Sequence, residues 1–425
     1  MSYTQSEIVT ATHDITETIY IFSSATDSTY ANDPYCRVLD LNGNWVYRDA
    51  STTIYAYVLS GGSISNGTIE YPGRLYASAG ATIENVIVDG HTYICDPGAA
   101  TGTARADITL NHVRDTGNVE FVLRGSNVKA YDIAVQGKKT AIQNGAYVEG
   151  LHISGGIVSM TFVTGVVDSN ATTMTGSNFN VSAGSLVADG TGKTLTISGL
   201  NVLAGATATL TSAQTYLENG NVVNGAQVYG GNLYVGEGAQ VSGGLVSGHK
   251  YFNVSNGALI NGVTISGGTA NIYTGGSMTN IDLNGLAFIH GYASNIVQSG
   301  GSVQTYAGAD VRDFTQTGGK LIVYGGGQVS GADIGASAVI YDNSLLSGAT
   351  IRSGASAAIS KGGLLRGATV MSGASVTVST ASAVFKDAVV DAGAFVTVSN
   401  GATIENIDFR GTGATLLATL SAGAT

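Results

Sequence analysis

A repeated spacing of paired glycines organises the stretch from residue 230 to residue 410. Cut before each Gly-Gly, Gly-Ala or equivalent pair, the stretch falls into consecutive segments, most of 18 residues and the others of 15, 19 or 20. Two examples are GGSVQTYAGADVRDFTQT and GGKLIVYGGGQVSGADIG. A fixed period in this range is the signature of a solenoid, because each repeat covers its apolar face only by stacking on its neighbours.

Apolar and polar residues alternate inside each segment. Pairs such as Leu233 with Val235 lie three and five residues after the first glycine and are flanked by polar side chains, as in a strand with one buried face. Two more apolar sets follow, about eleven and about fourteen to sixteen residues into the segment. Three short strands per repeat predict an all-β, three-sided parallel β-helix of about 18 residues per coil. The other predicted inward positions include Val376, Val378, Leu321, Val323, Val396, Val398, Val241, Met278, Val311, Val329, Leu365, Val384, Ile404, Ile281, Leu283, Val370, Val389, Ile407 and Phe409.

The chain divides into three parts by composition. Residues 1–60 hold the single Trp and dense aromatic runs, and we interpret them as an N-terminal cap that covers the open end of the solenoid, or as a small binding module. Residues 61–410 are the predicted β-helix, with residues 91–150 the most charged and least regular part, where loops are expected to project. Residues 411–425 begin a further coil, which we interpret as truncated in a fragment of a longer protein.

Charge and motifs exclude several functions. The net charge is −11 with no basic stripe, so neither nucleic acid nor an anionic membrane surface is an expected partner. The sequence has no apolar run of membrane-spanning length and no signal peptide at its start. Nucleotide-binding and hydrolase motifs are absent, the six His are scattered, and we expect no cofactor and no metal. Cys36 and Cys95 are either a disulfide or two buried small side chains.

Acidic residues offer the best enzymatic arrangement. Stacked coils place equivalent residues about 4.8 Å apart, near the carboxylate separation of about 5 Å in a retaining glycosidase. Asp89 and Asp107 are 18 residues apart, and Asp115 and Asp132 are 17 apart, so each pair is a candidate for one catalytic site. Arg114 or Arg124 would supply a neighbouring cation. The other interpretation is solvated charge on projecting loops.

Tyrosines form a second candidate site. Tyr273, Tyr306 and Tyr324 each follow an inward position by one residue, so the alternation points them outward. We expect them to form a row along the solenoid, with Tyr292 in the short coil between them as a fourth member. Such a row suits binding to carbohydrate or protein, and it equally suits stabilisation of the sheet by stacking.

The repeats, with GGKLIVYGGGQVSGADIG as an example, resemble those of AIDA-type autotransporter adhesins of Gram-negative bacteria. The resemblance is clearest over residues 218–410 and weaker over 61–217. It implies a right-handed β-helix, display at the cell surface or secretion, and attachment to host or sister cells. It also implies O-glycosylation of turn serines. The matching serines are Ser266, Ser299, Ser353 and Ser372. The chain departs from the family in lacking a signal peptide and a translocator barrel.

These observations favour a non-catalytic adhesin or structural rod on the bacterial surface, with host-cell or sister-cell surfaces, or further copies of itself, as partners. Two alternatives stay open. One is a glycan-active β-helix enzyme, such as a tailspike-like hydrolase or a polysaccharide lyase, and the other is a surface-layer protein.

Overall fold

The computed structural model describes residues 14–15, 20–21, 37–39, 45–47, 55–58, 63–65, 68–69, 74–77, 79–89, 91–94, 106–117, 120–163, 170–248, 251–399 and 401–418. Every regular element in these ranges is a β-strand. Within the same ranges, no helix has the length and apolar character needed to cross a bilayer. The chain forms two compact units, residues 1–216 and residues 217–425, and each is described by itself below.

Strands of the first unit are short at its beginning and longer toward residue 216. In chain order they are Asp14–Ile15, Tyr20–Ile21, Arg37–Leu39, Trp45–Tyr47, Tyr55–Val58, Ser63–Ser65, Thr68–Ile69, Arg74–Ala77, Thr82–Glu84, Ile87–Val88, His91–Ile94, Ile108–Asn111, Arg114–Asp115, Glu120–Arg124, Val128–Val135, Lys139–Gln143, Tyr147–Thr161, Thr173–Asp189, Thr194–Val202, Thr207–Thr211 and Ala213–Leu217, the last of which ends one residue into the second unit.

Strands of the second unit follow the glycine-punctuated repeats. They are Val222–Asn224, Gln227–Tyr229, Asn232–Val235, Gln240–Ser242, Leu245–Ser247, Tyr251–Val254, Leu259–Asn261, Thr264–Ile272, Ser277–Ile289, Tyr292–Thr305, Asp310–Gln316, Lys320–Val323, Gln328–Ser330, Asp333–Ile334, Ser337–Ile340, Leu345–Ser347, Thr350–Ile351, Ser356–Ile359, Leu364–Arg366, Thr369–Val370, Ser375–Val378, Val384–Asp391, Phe395–Val398, Thr403–Arg410 and Thr415–Ala418.

Strands of the described coils pair in parallel with the strand one coil further along the chain. One coil of the second unit contains Lys320–Val323, Gln328–Ser330 and Asp333–Ile334, and each of these pairs with its counterpart in the next coil. The register advances from Ser277 to Tyr292 in a short coil and from Ser375 to Phe395 in a longer one. The predicted three-sided parallel β-helix is therefore confirmed, with coils that vary around the predicted length.

The side chains that point inward from the first strand of a coil are those that the alternation of apolar and polar residues predicts. Leu233, Val235, Leu321 and Val323 are all buried in the core. Most positions predicted for the second and third strands, such as Met278, are buried as well.

Two predicted inward positions are wrong. Phe385 and Val390 fill the core where Val384 and Val389 were predicted, because Leu365 aligns with Phe385 and Val370 with Val390. The turn before Val384 is one residue longer than the turn in the previous coil. One extra residue in a turn exchanges the two faces of the strand that follows.

The predicted positions of the last coil are not fully buried. Ile404 and Ile407 are half-buried and Phe409 is exposed. The coil that follows them is described only over residues 401–418, where Thr415–Ala418 pairs in parallel with Phe395–Val398.

Asparagine side chains connect successive coils at one corner. Asn280 and Asn295 have φ angles of 55° and 52°, a left-handed conformation that Asn adopts more readily than other non-glycine residues. Asn295 Nδ2 donates to Asn280 Oδ1 at 2.5 Å, and Asn280 Nδ2 donates to Asn261 Oδ1 at 2.6 Å. Asn therefore meets the backbone requirement of this corner and adds a hydrogen bond between coils.

The predicted cap lies mostly outside the described residues and stays a prediction. Of its described strands, Asp14–Ile15 and Tyr20–Ile21 pair in parallel with strands of the first predicted coil, and Arg37–Leu39 forms an antiparallel pair with Trp45–Tyr47. Cys36 and Cys95 both lie outside the described residues.

Candidate binding surfaces

The proposed pair Asp89 and Asp107 is wrong. Thr82 aligns with Thr109, so this coil is much longer than the predicted coil. Asp89 consequently lies beside Thr116, whose amide donates to Val88 O, whereas the backbone oxygen of Asp107 accepts from Gly80 N at 3.1 Å. The added length lies between strands His91–Ile94 and Ile108–Asn111, and no sequence pattern indicates how many of those residues belong to the coil.

The second acid pair is wrong for the same reason. Asp115 aligns with Val135 in the next coil, and not with Asp132. Asp132 lies at an exposed corner with φ 52°, where its carboxylate is 3.4 Å from Nε2 of His112 and 3.4 Å from Nε2 of His152. The two carboxylates therefore do not face one another across a substrate site. Of the proposed cations, Arg124 donates from Nε to Gln143 Oε1 at 2.7 Å.

Asp115 is buried in the core of the first unit. Thr140 Oγ1 donates to its Oδ2 at 2.6 Å, and Gly117 N donates to its Oδ1 at 3.2 Å. Burial raises the pKa of Asp115 from 3.8 to about 6, and the charge of Asp89 adds to the increase, while the two hydrogen bonds oppose it. A β-carbon at Gly137 would lie 2.5 Å from Asp115 Oδ1, so the chain packs tightly around the carboxyl. The carboxyl is a core group without access to a substrate.

We expect Asp115 to make the first unit less stable as pH rises. Its pKa is raised in the folded state, so this state binds more protons than the unfolded chain between about pH 4 and pH 6. The contribution is complete below about pH 4 and is lost as pH passes 6, which lowers the free energy of unfolding by on the order of 3 kcal/mol. Asp115→Asn removes the ionisable group and should remove this dependence, because its amide oxygen can accept from Gly117 N while its amide nitrogen donates to the Thr140 hydroxyl.

Amide hydrogen exchange of residues 113–153 at pH 4.5 and pH 7 measures the effect, after correction for the intrinsic exchange rate. Asp107→Asn, at an exposed position, is the matched control and should leave the difference between the two pH values unchanged. Equal pH dependence in the parent and in Asp115→Asn would contradict the prediction.

Aromatic rings form a continuous row on the second unit. Tyr306 and Tyr324 are stacked with ring centroids 5.2 Å apart, and Tyr324 and Tyr341 are stacked at 5.7 Å. His290 stacks on the other face of the row at 4.6 Å from Tyr306. The backbone amides of Tyr273 and His290 each donate a hydrogen bond to the preceding coil, as the amide of Tyr306 does. These two residues therefore lie in the same column of the solenoid as Tyr306. Tyr306 and Tyr324 therefore stack as predicted, and His290 and Tyr341 extend their row. Tyr273 lies in the same column by its backbone.

The position predicted for Tyr292 is wrong. Tyr292 aligns with Ser277 and Asp310 at the start of the second strand of its coil. His290 occupies the row instead, because this short coil has a shortened turn after its first strand. The guanidinium of Arg312 lies 5.8 Å from the ring centroid of Tyr292 and forms a salt bridge with Asp310. Tyr292 thus belongs to a separate cluster of one aromatic ring and an ion pair.

Stacking determines which parts of the tyrosine rings in the row are accessible to a partner. The faces of Tyr306 and Tyr324 are covered by neighbouring rings, and Tyr306 Oη donates to Gln304 Oε1 at 2.8 Å. Ile322 and Val339 occupy outward positions beside the row, yet each is only 8% exposed. Tyr273 is 49% exposed and has the most accessible ring of the column. The row therefore covers apolar surface on the outer face.

We expect Tyr324→Ser to destabilise the second unit by about 2 kcal/mol, because it removes two stacked contacts and exposes the apolar side chain of Ile322. Serine is compatible with the backbone here, since Ser360 and Ser379 occupy the same column in later coils. Urea denaturation followed by near-ultraviolet circular dichroism measures the loss. Tyr251→Ser, at an exposed position outside the row, is the control, and equal losses in the two variants would argue against stabilisation by stacking.

The four predicted glycosylation serines are exposed. Ser266 lies within strand Thr264–Ile272 and aligns with Asn284, whereas Ser299 lies within strand Tyr292–Thr305 at a register shift, directly before the Gly300 that aligns with Asn284. Ser353 and Ser372 lie in adjacent coils, each directly before a glycine with positive φ. All four residues are therefore on the surface, and the hydroxyl group of Ser299 donates to Leu283 O at 3.4 Å.

Two glutamines in the core were missed by the sequence interpretation. Gln298 and Gln316 align with the buried residues Leu283 and Ile334 and are themselves fully buried. A signal was present for Gln316, which lies sixteen residues after the first glycine of its segment, at a position that is apolar in other repeats. Gln298 lies thirteen residues into the short segment and reaches the same column only because that coil is shortened. Elsewhere in the described ranges, no three His, Cys, Asp or Glu side chains form a group that could hold a metal ion.

Comparison with solved structures identifies a chain of similar fold. It is a TibC-catalysed hyper-glycosylated fragment of TibA, residues 55–350, known from its crystal structure. The two chains share 20% sequence identity with a TM-score of 0.51, and the match covers 65% of this chain and 97% of the fragment. No protein-family model matches this sequence, and comparison with curated proteins finds no match. At this identity, what the two chains are shown to share is the parallel β-solenoid fold.

Proposed function

We propose that this chain is a non-catalytic adhesive or structural β-helix, displayed on a bacterial surface or secreted, that attaches to host or sister cells or to further copies of itself. The observation that carries the proposal is the parallel register, which places the same outer columns in successive coils. The resemblance of the repeats to AIDA-type adhesins and the fold shared with the TibA fragment support it.

Repetition provides a physical basis for adhesion. A surface that presents similar groups at each coil can form many weak contacts, and linked weak contacts give strong attachment without a single tight site. Tyr273 and Tyr292 are the most exposed of the four tyrosines proposed to bind, at 49% and 36%. Tyr306 and Tyr324 are half-buried members of the same row and would contribute less area to a partner. Tyrosine suits this role, because it offers rigid amphipathic area with few rotatable bonds.

Display of the chain on a non-adherent bacterial strain tests the proposal. We expect increased attachment to epithelial cells or increased settling of the bacteria, measured against the same strain displaying an unrelated protein of equal size. Tyr273→Ser combined with Tyr292→Ser should reduce the effect severalfold at equal surface level. Leu203→Ser with Met371→Ser changes two exposed apolar residues elsewhere and is the control.

Two results would overturn the proposal. One is unchanged attachment and settling at confirmed surface display. The other is release of reducing ends or unsaturated sugars from polysaccharides incubated with the purified chain, which would identify a glycan-active enzyme.

We also propose that Ser266, Ser299, Ser353 and Ser372 carry O-linked sugars in the native protein. Their exposure and the hyper-glycosylated state of the TibA fragment support this assignment. Intact-mass measurement of the natively produced protein should show excess mass in multiples of one sugar, and Ser353→Ala with Ser372→Ala should remove two of them. A native mass equal to that of the sequence would exclude the modification.

A further inference from the structure

A groove lies on the first unit where one corner of the solenoid is lengthened. Residues 162–172 connect strand Tyr147–Thr161 to strand Thr173–Asp189, whereas three residues make the same connection one coil earlier. The groove has a volume of about 480 Å³, within the range of small-molecule sites. Its lining comprises Ser126, Lys129, Gly145, Tyr147 and the segment 170–175.

The described parts of the wall are held by specific contacts. Near the start of the connection, Asn144 Nδ2 donates to Val163 O at 2.9 Å and Val163 N donates to Asn144 Oδ1 at 2.7 Å. At its end, Lys193 Nζ donates to Ala171 O at 2.9 Å and lies 5.8 Å from the ring centroid of Phe162. Both described ends of the connection are thus attached to neighbouring coils.

An aromatic ring and an ammonium group lie together in the groove. Lys129 aligns with Tyr147 in the next coil, and Lys129 Nζ is 6.0 Å from the centroid of the Tyr147 ring. Tyr131 packs edge-on against the same ring at 6.0 Å. Lys129 Nζ donates to Ser126 O at 3.1 Å, which uses one of its three N–H groups. Tyr147 Oη donates to Glu149 Oε2 at 2.9 Å, which fixes the ring.

The other lining residues that the structure describes are mostly polar, and none of them is acidic. Thr172, Thr173 and Thr175 are exposed at the groove, and Thr175 lies next to Tyr147 because Val148 aligns with Gly176. Lys129 is the one charged residue among the ten described lining residues, although the chain as a whole has a net charge of −11. The neighbouring carboxylate of Glu149 is engaged by the hydroxyl group of Tyr147. The groove is therefore a local site for a hydroxylated anion on an acidic protein.

We propose that this groove binds a sugar that carries a carboxylate, such as a uronic or sialic acid. The Tyr147 ring supplies an apolar face for the sugar C–H groups, the threonine hydroxyls and Asn170 hydrogen-bond to the sugar hydroxyls, and Lys129 pairs with the carboxylate. A single ammonium group and the acidic surroundings disfavour a nucleic acid, which requires clustered cations. The polar lining disfavours a lipid chain.

Saturation-transfer NMR and calorimetric titration with galacturonic acid and with N-acetylneuraminic acid test the proposal. We expect binding of at least one of the two acids, with the corresponding methyl ester about tenfold weaker because it lacks the charge. Lys129→Gln should weaken binding of the acid by about tenfold and leave the ester unchanged. Lys138→Gln, an exposed lysine outside the groove, is the matched control and should change neither.

A second variant keeps the test valid if Lys129→Gln fails to fold. Thr172→Trp fills the groove from an exposed position and should abolish binding, while circular dichroism stays that of the parent. The proposal is overturned if neither acid binds, or if Lys129→Gln and Lys138→Gln weaken binding equally. Adhesion without sugar binding would remove this inference alone, and sugar binding without adhesion would remove the proposed function alone.

Discussion

Replacing Gly301 with alanine is expected to destabilise the second unit by about 4 kcal/mol. Gly301 has a φ of 64°, which already costs an L-residue about 1–2 kcal/mol. A β-carbon at this position would lie 1.8 Å from the backbone oxygen of Gly285, with which Gly301 aligns in the preceding coil. Because the clash is with backbone, two coils must separate locally, and that separation adds a penalty like that of overpacking a core.

Gly354→Ala is the matched control. Gly354 also has a positive φ, 79°, in the same unit, but a β-carbon there would meet no atom within 4 Å. This variant should lose only the stability that a positive φ costs an L-residue, about 1–2 kcal/mol. Urea denaturation with hydrogen exchange of residues 277–323 measures both variants, because long repeat arrays can unfold in parts. Equal losses of stability in Gly301→Ala and Gly354→Ala would show that the close contact between coils at Gly301 adds nothing to the destabilisation.

The buried glutamine pair is expected to show the second large effect. Gln316 Nε2 donates to Gln298 Oε1 at 3.3 Å and to Ser337 O at 3.1 Å, and Gln316 Oε1 accepts from Ala336 N at 3.3 Å. Gln316→Leu keeps the volume but removes these three hydrogen bonds in the core. Since an unsatisfied buried group costs about 1–3 kcal/mol, we expect a loss of about 3 kcal/mol or more.

Gln328→Leu, at an exposed position two coils after Gln298, is the control and should change the stability by less than about 0.5 kcal/mol. The double variant Gln298→Leu with Gln316→Leu completes a mutant cycle. Its loss should be smaller than the sum of the two single losses, because either change already breaks the bond between the two amides. Additive losses, or a stable Gln316→Leu variant, would show that the pair is not a coupled network.

Local sequence patterns were sufficient for the fold class. The alternation that buries Leu321 and Val323 is a property of a few consecutive residues, and so are the glycine pairs that form the corners. Because these signals recur in each segment, small errors in one coil do not change the overall prediction. The outward direction of Tyr306 and Tyr324 followed from the same alternation.

Alignment between coils was less predictable. Tyr292 and His290 differ by two residues, yet only His290 stacks on Tyr306, because the turn before Tyr292 is shortened. The acid pairs failed because Thr109 is the partner of Thr82 and Val135 the partner of Asp115, so neither coil has the predicted length. Turn length sets which residues of successive coils become neighbours, and a flexible turn tolerates insertions at little energetic cost.

By itself, the sequence determined that this chain folds into stacked three-stranded coils, because period-two burial and glycine corners are written within each repeat. Only the tertiary structure decided which side chains meet: the row of His290 and tyrosines, the paired glutamines, the buried Asp115 and the groove beside Tyr147. The physical reason is that strand direction is fixed by neighbours in the chain, whereas contacts between coils depend on the register that hydrogen bonds and core packing select together.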